Sequence, residues 1–205
     1  RNEMKKWFAI TMVLTVCLMT GGVCVAADDS GGGSDVELEL IVNARPASLL
    51  VDVDGKKFGV DGNTMSQVYM MPNVSAGIGM EMGDLYLDAT LGAGMIINDR
   101  FRSFIIEAGV ALNYAVTDSY LVGPRASLLY FVDPEYTEDD SADFDAGAGF
   151  LLGLQMALGD KISYVVSVDL LATSLDAEAQ SGVVLTDDEL DMFGLAFQFG
   201  VRGEF

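Results

Sequence analysis

From Val36 onward, apolar and polar residues alternate with a period of two, beginning with Glu37-Leu38-Glu39-Leu40. Side chains that repeat every second residue share one face of an extended strand. The pattern predicts eight strands, at about 36–51, 71–82, 85–97, 101–116, 120–132, 145–158, 162–173 and 190–205. In the third, Leu85, Leu87, Ala89, Leu91, Ala93, Met95 and Ile97 share one face, and Tyr86, Asp88, Thr90, Gly92 and Gly94 the other. The fourth sets Phe104, Ile106, Ala108, Val110, Leu112 and Tyr114 against Ser103, Glu107, Gly109 and Asn113. The sixth sets Phe150, Leu152, Leu154, Met156 and Leu158 against Gly147, Gly149, Gly153 and Gln155. The eighth sets Phe193, Leu195, Phe197, Phe199 and Val201 against Gly194, Gln198, Gly200 and Arg202. In these registers no charged residue is expected on the apolar faces. No segment shows a helical stripe.

The links between strands alternate in character. Gly83-Asp84, Thr117-Asp118-Ser119 and Gly159-Asp160-Lys161 are short and built of turn residues. Long acidic links are expected at 52–70, 133–144 and 174–189, with a short one near Ile97–Arg100 as the exception. Short turns at one end and longer loops at the other, with an even strand count, describe an all-β, closed, up-and-down antiparallel transmembrane barrel over residues 36–205. A soluble exported β-sandwich is the alternative, since it too has one apolar face per strand. Two features favour the barrel. The polar face is rich in Gly, Ser and Ala and nearly free of Lys, whereas a water-facing sheet guards its edges with charge. Aromatic residues on the apolar face also gather at both strand ends: Tyr114, Tyr120, Tyr164 and Phe205 near the short turns, Phe104, Tyr130, Phe150 and Phe193 near the long loops. Such girdles mark the two membrane interfaces. Pro46 and Pro124 interrupt strands, and a bulge is expected at each.

Composition then fixes the compartment. Met4-Lys5-Lys6, the apolar run from Trp7 and the small-residue exit Val25-Ala26-Ala27 describe a signal peptide over residues 1–27, cleaved near Ala27. Residues 28–35, rich in Gly, Ser and Asp, read as a flexible linker. Both cysteines, Cys17 and Cys24, fall in the signal, so no disulfide or cysteine metal site is expected. The formal net charge is −20, yet 51% of residues are hydrophobic. The charge argues against nucleic acid, which needs a basic patch. The hydrophobicity argues against an acidic disordered chain.

The chain ends Phe197, Phe199, Val201, Phe205 in alternating positions. That ending resembles the assembly signal that outer-membrane barrel proteins present to the barrel-assembly machinery, although Gly203 stands where a bulkier residue is usual. Taken over residues 36–205, the chain resembles the small eight-stranded OmpA/OmpX/OmpW-like barrels. The resemblance implies an integral protein of the Gram-negative outer membrane, in contact with membrane lipid and lipopolysaccharide. It does not by itself imply a role.

Catalytic chemistry is poorly represented. The chain contains no histidine, so Ser-His-Asp and Cys-His arrangements and histidine-based metal or haem sites are excluded. No enzyme activity, cofactor or resident metal is expected. By parity Glu39, Arg45, Glu81, Asp88, Glu107, Arg125, Asp169, Arg202 and Glu204 all point into the lumen. Buried charges must be paired, so a charged network filling a narrow barrel is expected, with Arg125 paired to Glu107 or Asp88. The acidic stretch Asp133, Glu135, Glu138, Asp139, Asp140 and Asp143 lacks EF-hand spacing, and at most weak divalent-cation binding is expected there. Three roles follow as expectations: a structural or surface-interaction barrel, a narrow porin-like channel or transporter for small or hydrophobic solutes, or a soluble binding module.

Overall fold

A computed structural model describes residues 37–53, 57–58, 63–64, 68–136, 142–179, 184 and 189–205. The expected signal peptide 1–27 and linker 28–35 lie outside the described residues. Among the described residues twelve strands form in chain order: β1 (Glu37–Asp52), β2 (Lys57–Phe58), β3 (Asn63–Thr64), β4 (Val68–Met70), β5 (Asn73–Met82), β6 (Leu85–Ile97), β7 (Phe101–Thr117), β8 (Tyr120–Tyr136), β9 (Ala142–Phe144), β10 (Gly147–Gly159), β11 (Ile162–Ala179) and β12 (Glu189–Glu204). Eight of them are long and coincide with the eight expected from the alternation.

Each long strand pairs antiparallel with its successor, β1–β5–β6–β7–β8–β10–β11–β12, and β12 returns to β1 through Ile41↔Glu204 to Asp52↔Gly194. The sheet is therefore a closed ring, which removes the edges of an open sheet. A two-sheet sandwich is ruled out by that closure. The short turns lie together at one end; Gly83 takes φ 66° and Gly159 φ 139°, values that L side chains rarely adopt. The C-terminal ends of β1, β6, β8 and β11 lie together at the other end. Among the described residues no helix is long and apolar enough to cross a membrane.

Three local expectations need correction. Pro46 does sit at a register shift, between Ala44 and Ala47 of β1. Pro124 does not: Leu154↔Pro124 is in register, and Ala111↔Arg125 and Tyr114↔Val122 keep one offset on the β7 side. Pairing with β7 lapses between those two pairs instead of slipping, which is enough to accommodate the missing N–H. A bulge occurs between Phe104↔Val132 and Arg102↔Glu135, beside Asp133 with φ 44°. Second, the links expected at 133–144 and 174–189 are partly strand, since β8 runs on to Tyr136, β11 to Ala179, and β9 pairs with both. Third, the apolar faces are not wholly free of charge. Arg102 shares the outward parity of Phe104 and bonds Glu135 at 2.6 Å, and Asp191 shares that of Phe193. Both lie at loop ends, above the apolar belt.

That belt covers the outside of the ring. Leu152 and Leu154 of β10, Val74 of β5 and Tyr164 of β11 are each 60–73% exposed; the other long strands add exposed apolar residues too, except β8, whose outward Val122, Leu128, Tyr130 and Val132 are half-buried. The interior has two storeys. The half nearest the short turns is polar, whereas the loop-side half is an apolar cluster that includes Leu50, Tyr69, Ile96, Phe101, Ile105, Leu129 and Phe131, all at 0% exposure. The expectation of a lumen filled by charge therefore holds for one half only. The reason is visible in the strands: Met95-Ile96-Ile97, Phe104-Ile105-Ile106 and Phe150-Leu151-Leu152 are continuous apolar runs that present an apolar residue to both faces.

Candidate functional site

The polar storey is assembled by parity. Inward positions of β1, β6, β7, β8, β11 and β12 carry Arg45, Asp88, Glu107, Arg125, Asp169 and Arg202, all buried. Three guanidinium groups thus face three carboxylates inside the ring. Burial of single ions would be prohibitive, so the geometry of the pairs matters.

Arg125 is the hub. Its Nη2 donates to Glu107 Oε1 at 2.6 Å and to Ser127 Oγ at 3.0 Å. Its Nη1 donates to Gln198 Oε1 at 2.7 Å and Ser167 Oγ at 2.9 Å, with Asp169 Oδ2 at 3.3 Å. One side chain from β8 therefore reaches its neighbour β7 and, across the lumen, β11 and β12. Glu107 accepts further bonds from Ser127 Oγ at 2.7 Å and Asn73 Nδ2 at 2.8 Å. Arg45 Nη1 donates to Gln198 at 2.8 Å and lies 3.8 Å from Glu107. Asp88 does not reach Arg125. It is held instead by both Nη atoms of Arg202 and by Asn113 Nδ2 at 2.9 Å, and Asn113 Oδ1 in turn accepts from Gln155 Nε2 at 3.1 Å. Arg202 Nε lies 2.7 Å from Glu204 Oε1.

The remaining two acids, Glu39 and Glu81, are half-buried near the short-turn end, where Glu81 stands opposite Tyr86 in register. Glycine makes space for the larger groups. A Cβ at Gly200 would lie 2.8 Å from Arg45 Cγ, and one at Gly153 would lie 2.5 Å from Asp169 Oδ1. Charge parity did not identify the neutral members Asn73, Asn113, Ser127, Gln155, Ser167 and Gln198. All share the inward parity of the charged residues, and that was the available signal. Of the acidic stretch, Glu138, Asp139 and Asp140 lie outside the described residues, and Glu135 pairs with Arg102. Phe199, Val201 and Phe205 are exposed on the outer face, and Phe197, of the same parity as Phe199, is half-buried.

What this arrangement does chemically is hold strands together. No protein-family model and no curated protein sequence matches the chain. Among solved structures, the outer membrane protein OprG from Pseudomonas aeruginosa is similar over 82% of this chain and 96% of its own, at 11% identity and a TM-score of 0.50. The fold is that of a small outer-membrane barrel. The outer membrane protein AlkL matches 87% of this chain and 95% of its own at 13% identity, with a TM-score of 0.47. Neisserial surface protein A matches 84% and 100% at 15% identity, with a TM-score of 0.46.

Proposed function

We propose that this chain is an integral barrel of the Gram-negative outer membrane, in the cell envelope, with a structural or surface-interaction role and no catalysis. One observation carries the reading: a closed ring whose outside is an apolar belt and whose inside is partly ionic. In water that arrangement is inverted, and a bilayer makes it the low-energy one. A spanning strand needs about 9–11 residues. β7, β8 and β11 have 17, 17 and 18, so they extend past the belt at the loop end, where outward Asp176 and Glu189 replace apolar residues. The signal peptide expected at 1–27 supplies export. The short turns then face the periplasm and the acidic loops the outside. There they meet lipopolysaccharide, with weakly held divalent cations bridging acid to lipid phosphate. The outward residues Phe197, Phe199, Val201 and Phe205 of β12 serve recognition by the barrel-assembly machinery.

A channel for small or hydrophobic solutes is the competing role. The chemistry of the loop-side storey would suit an apolar solute, but its side chains are packed against one another with at most 8% exposure. The lumen is therefore read as sealed. The test is to fold residues 28–205 from urea into detergent micelles and run SDS gels with and without boiling. A cold, SDS-resistant species that shifts on heating supports the membrane barrel. A chain that folds without detergent and shows no shift refutes it. Bilayer conductance separates the two roles: steady ion current would overturn the sealed reading.

A further inference from the structure

Between the two ionic clusters lies an internal cavity of about 20 Å³, room for about one water-sized particle. All three lumen arginines line it, Arg45, Arg125 and Arg202, and Asp88 is the one carboxylate among its lining residues. Both Asp88 oxygens are already engaged by Arg202, and Asn113 adds a bond to one of them. Glu107 and Asp169 bind Arg125 without lining the cavity. Thr90 and Ser127 add hydroxyl groups to the wall. Arg45 is the least engaged of the three: it is buried, and its Nε has no hydrogen-bond partner. A buried, unmatched guanidinium donor is costly, and of the network's balanced charges the three cations line the cavity while only one of the three carboxylates does. Gly109 leaves the space open, because a Cβ there would stand 2.8 Å from Ser127 Oγ and 3.1 Å from Thr90 Oγ1.

We propose that this cavity is a binding site for one small monatomic anion of the chloride class, held by Arg45 with Arg125 and Arg202. The anion meets the unpartnered Arg45 Nε on a wall that presents three guanidinium groups and one carboxylate. A polyatomic anion such as gluconate is too large to enter. The site depends on the barrel interior, not on the membrane assignment, so the heat-dependent gel shift and the anion effect fail separately.

The experiment folds the chain into micelles in sodium chloride, sodium bromide or sodium gluconate at one ionic strength. The midpoint of thermal unfolding is then read by calorimetry, which does not require SDS resistance. Chloride and bromide are expected to raise that midpoint by roughly 3–8 °C over gluconate, saturating with concentration. Two variants probe the site: Arg45→Gln removes the donor, and Gly109→Ala fills the space while keeping every charge. Both should lose the saturable increment. Equal midpoints in halide and gluconate overturn the proposal, as does a halide increment that survives in both variants. If neither variant folds, crystals of the unaltered protein grown in bromide decide. An anomalous peak beside Arg45 supports the site, and a cavity without one, holding water only, overturns it.

Discussion

Arg125 offers the sharpest test of whether the lumen network holds the barrel together. Arg125→Ala removes donors to Glu107, Ser127, Ser167, Asp169 and Gln198 in one step. It also leaves Glu107 and Asp169 buried with little compensation, since Arg45 lies 3.8 Å from Glu107. Removing one partner of a buried pair costs about 3–5 kcal/mol, because the other charge loses its counterion. Glu107→Ala should cost a similar amount, about 3–4 kcal/mol, by stranding Arg125. Asp169 still lies 3.3 Å from that arginine, so the cost should fall at the lower end. The double variant removes both charges together and should cost less than the sum by about 1–3 kcal/mol, the range of coupling between contacting residues. Unfolding in urea, read as the fraction that remains SDS-resistant in the cold, measures each term. The single tryptophan, Trp7, lies in the expected signal peptide and gives no reporter. Losses that add to within about 0.5 kcal/mol would show no coupling. The network would then be a set of independent contacts, and the argument from burial would be wrong.

Other substitutions probe the belt, the apolar storey and assembly. Leu152→Arg places a cation on the outward face of β10, where Leu152 is 62% exposed, and should cost about 2–4 kcal/mol in a bilayer; Asp176→Lys, beyond the belt, should change urea stability by less than about 0.5 kcal/mol. Phe101→Ala empties a site packed edge-on against Tyr69 at 6.1 Å and Phe144 at 5.7 Å; it should cost about 3–5 kcal/mol, measured by the same urea curve. Phe205→Ala should leave folding into micelles intact while lowering the amount of heat-shifting barrel in cell envelopes. Equal loss in both settings would place Phe205 in stability and not in recognition.

Much of the ring was legible because a strand's period is an integer. Once Leu85 is outward, the side of Asp88 and Gly94 is fixed, and the same parity assigns Glu107 and Arg125 on the next two strands. Partners across the lumen were not legible. Parity says that Arg125 points inward but not how far it reaches, and Asp88 is as inward as Glu107. The choice depends on the height offset between strands that are not neighbours, which the shear of the closed barrel sets. Pairing of Asp88 with Arg202 follows from β12 closing on β1 at Ile41↔Glu204, a register that no local pattern reveals. The extension of β8 and β11 escaped notice for another reason. Their upper residues alternate acid with apolar, as Leu175-Asp176-Ala177 does, and acid there reads equally well as a solvated loop.

The two storeys have a common logic. An eight-stranded ring is just wide enough for side chains to fill, so whatever faces inward must be packed or paired. Ion pairs alone would leave a polar path from end to end, along which water and small ions could follow the charged groups. Hydrophobic packing alone would seal the ring but would not distinguish one closure from another, because apolar contacts are non-directional. Here Arg125 and Arg202 bind groups from strands distant in sequence, including β12, in geometries that a slip of β12 against β1 would break. Phe101, Ile105, Leu129 and Phe131 then fill the loop-side half. The charged half thus specifies the closure and the apolar half fills the rest of the ring.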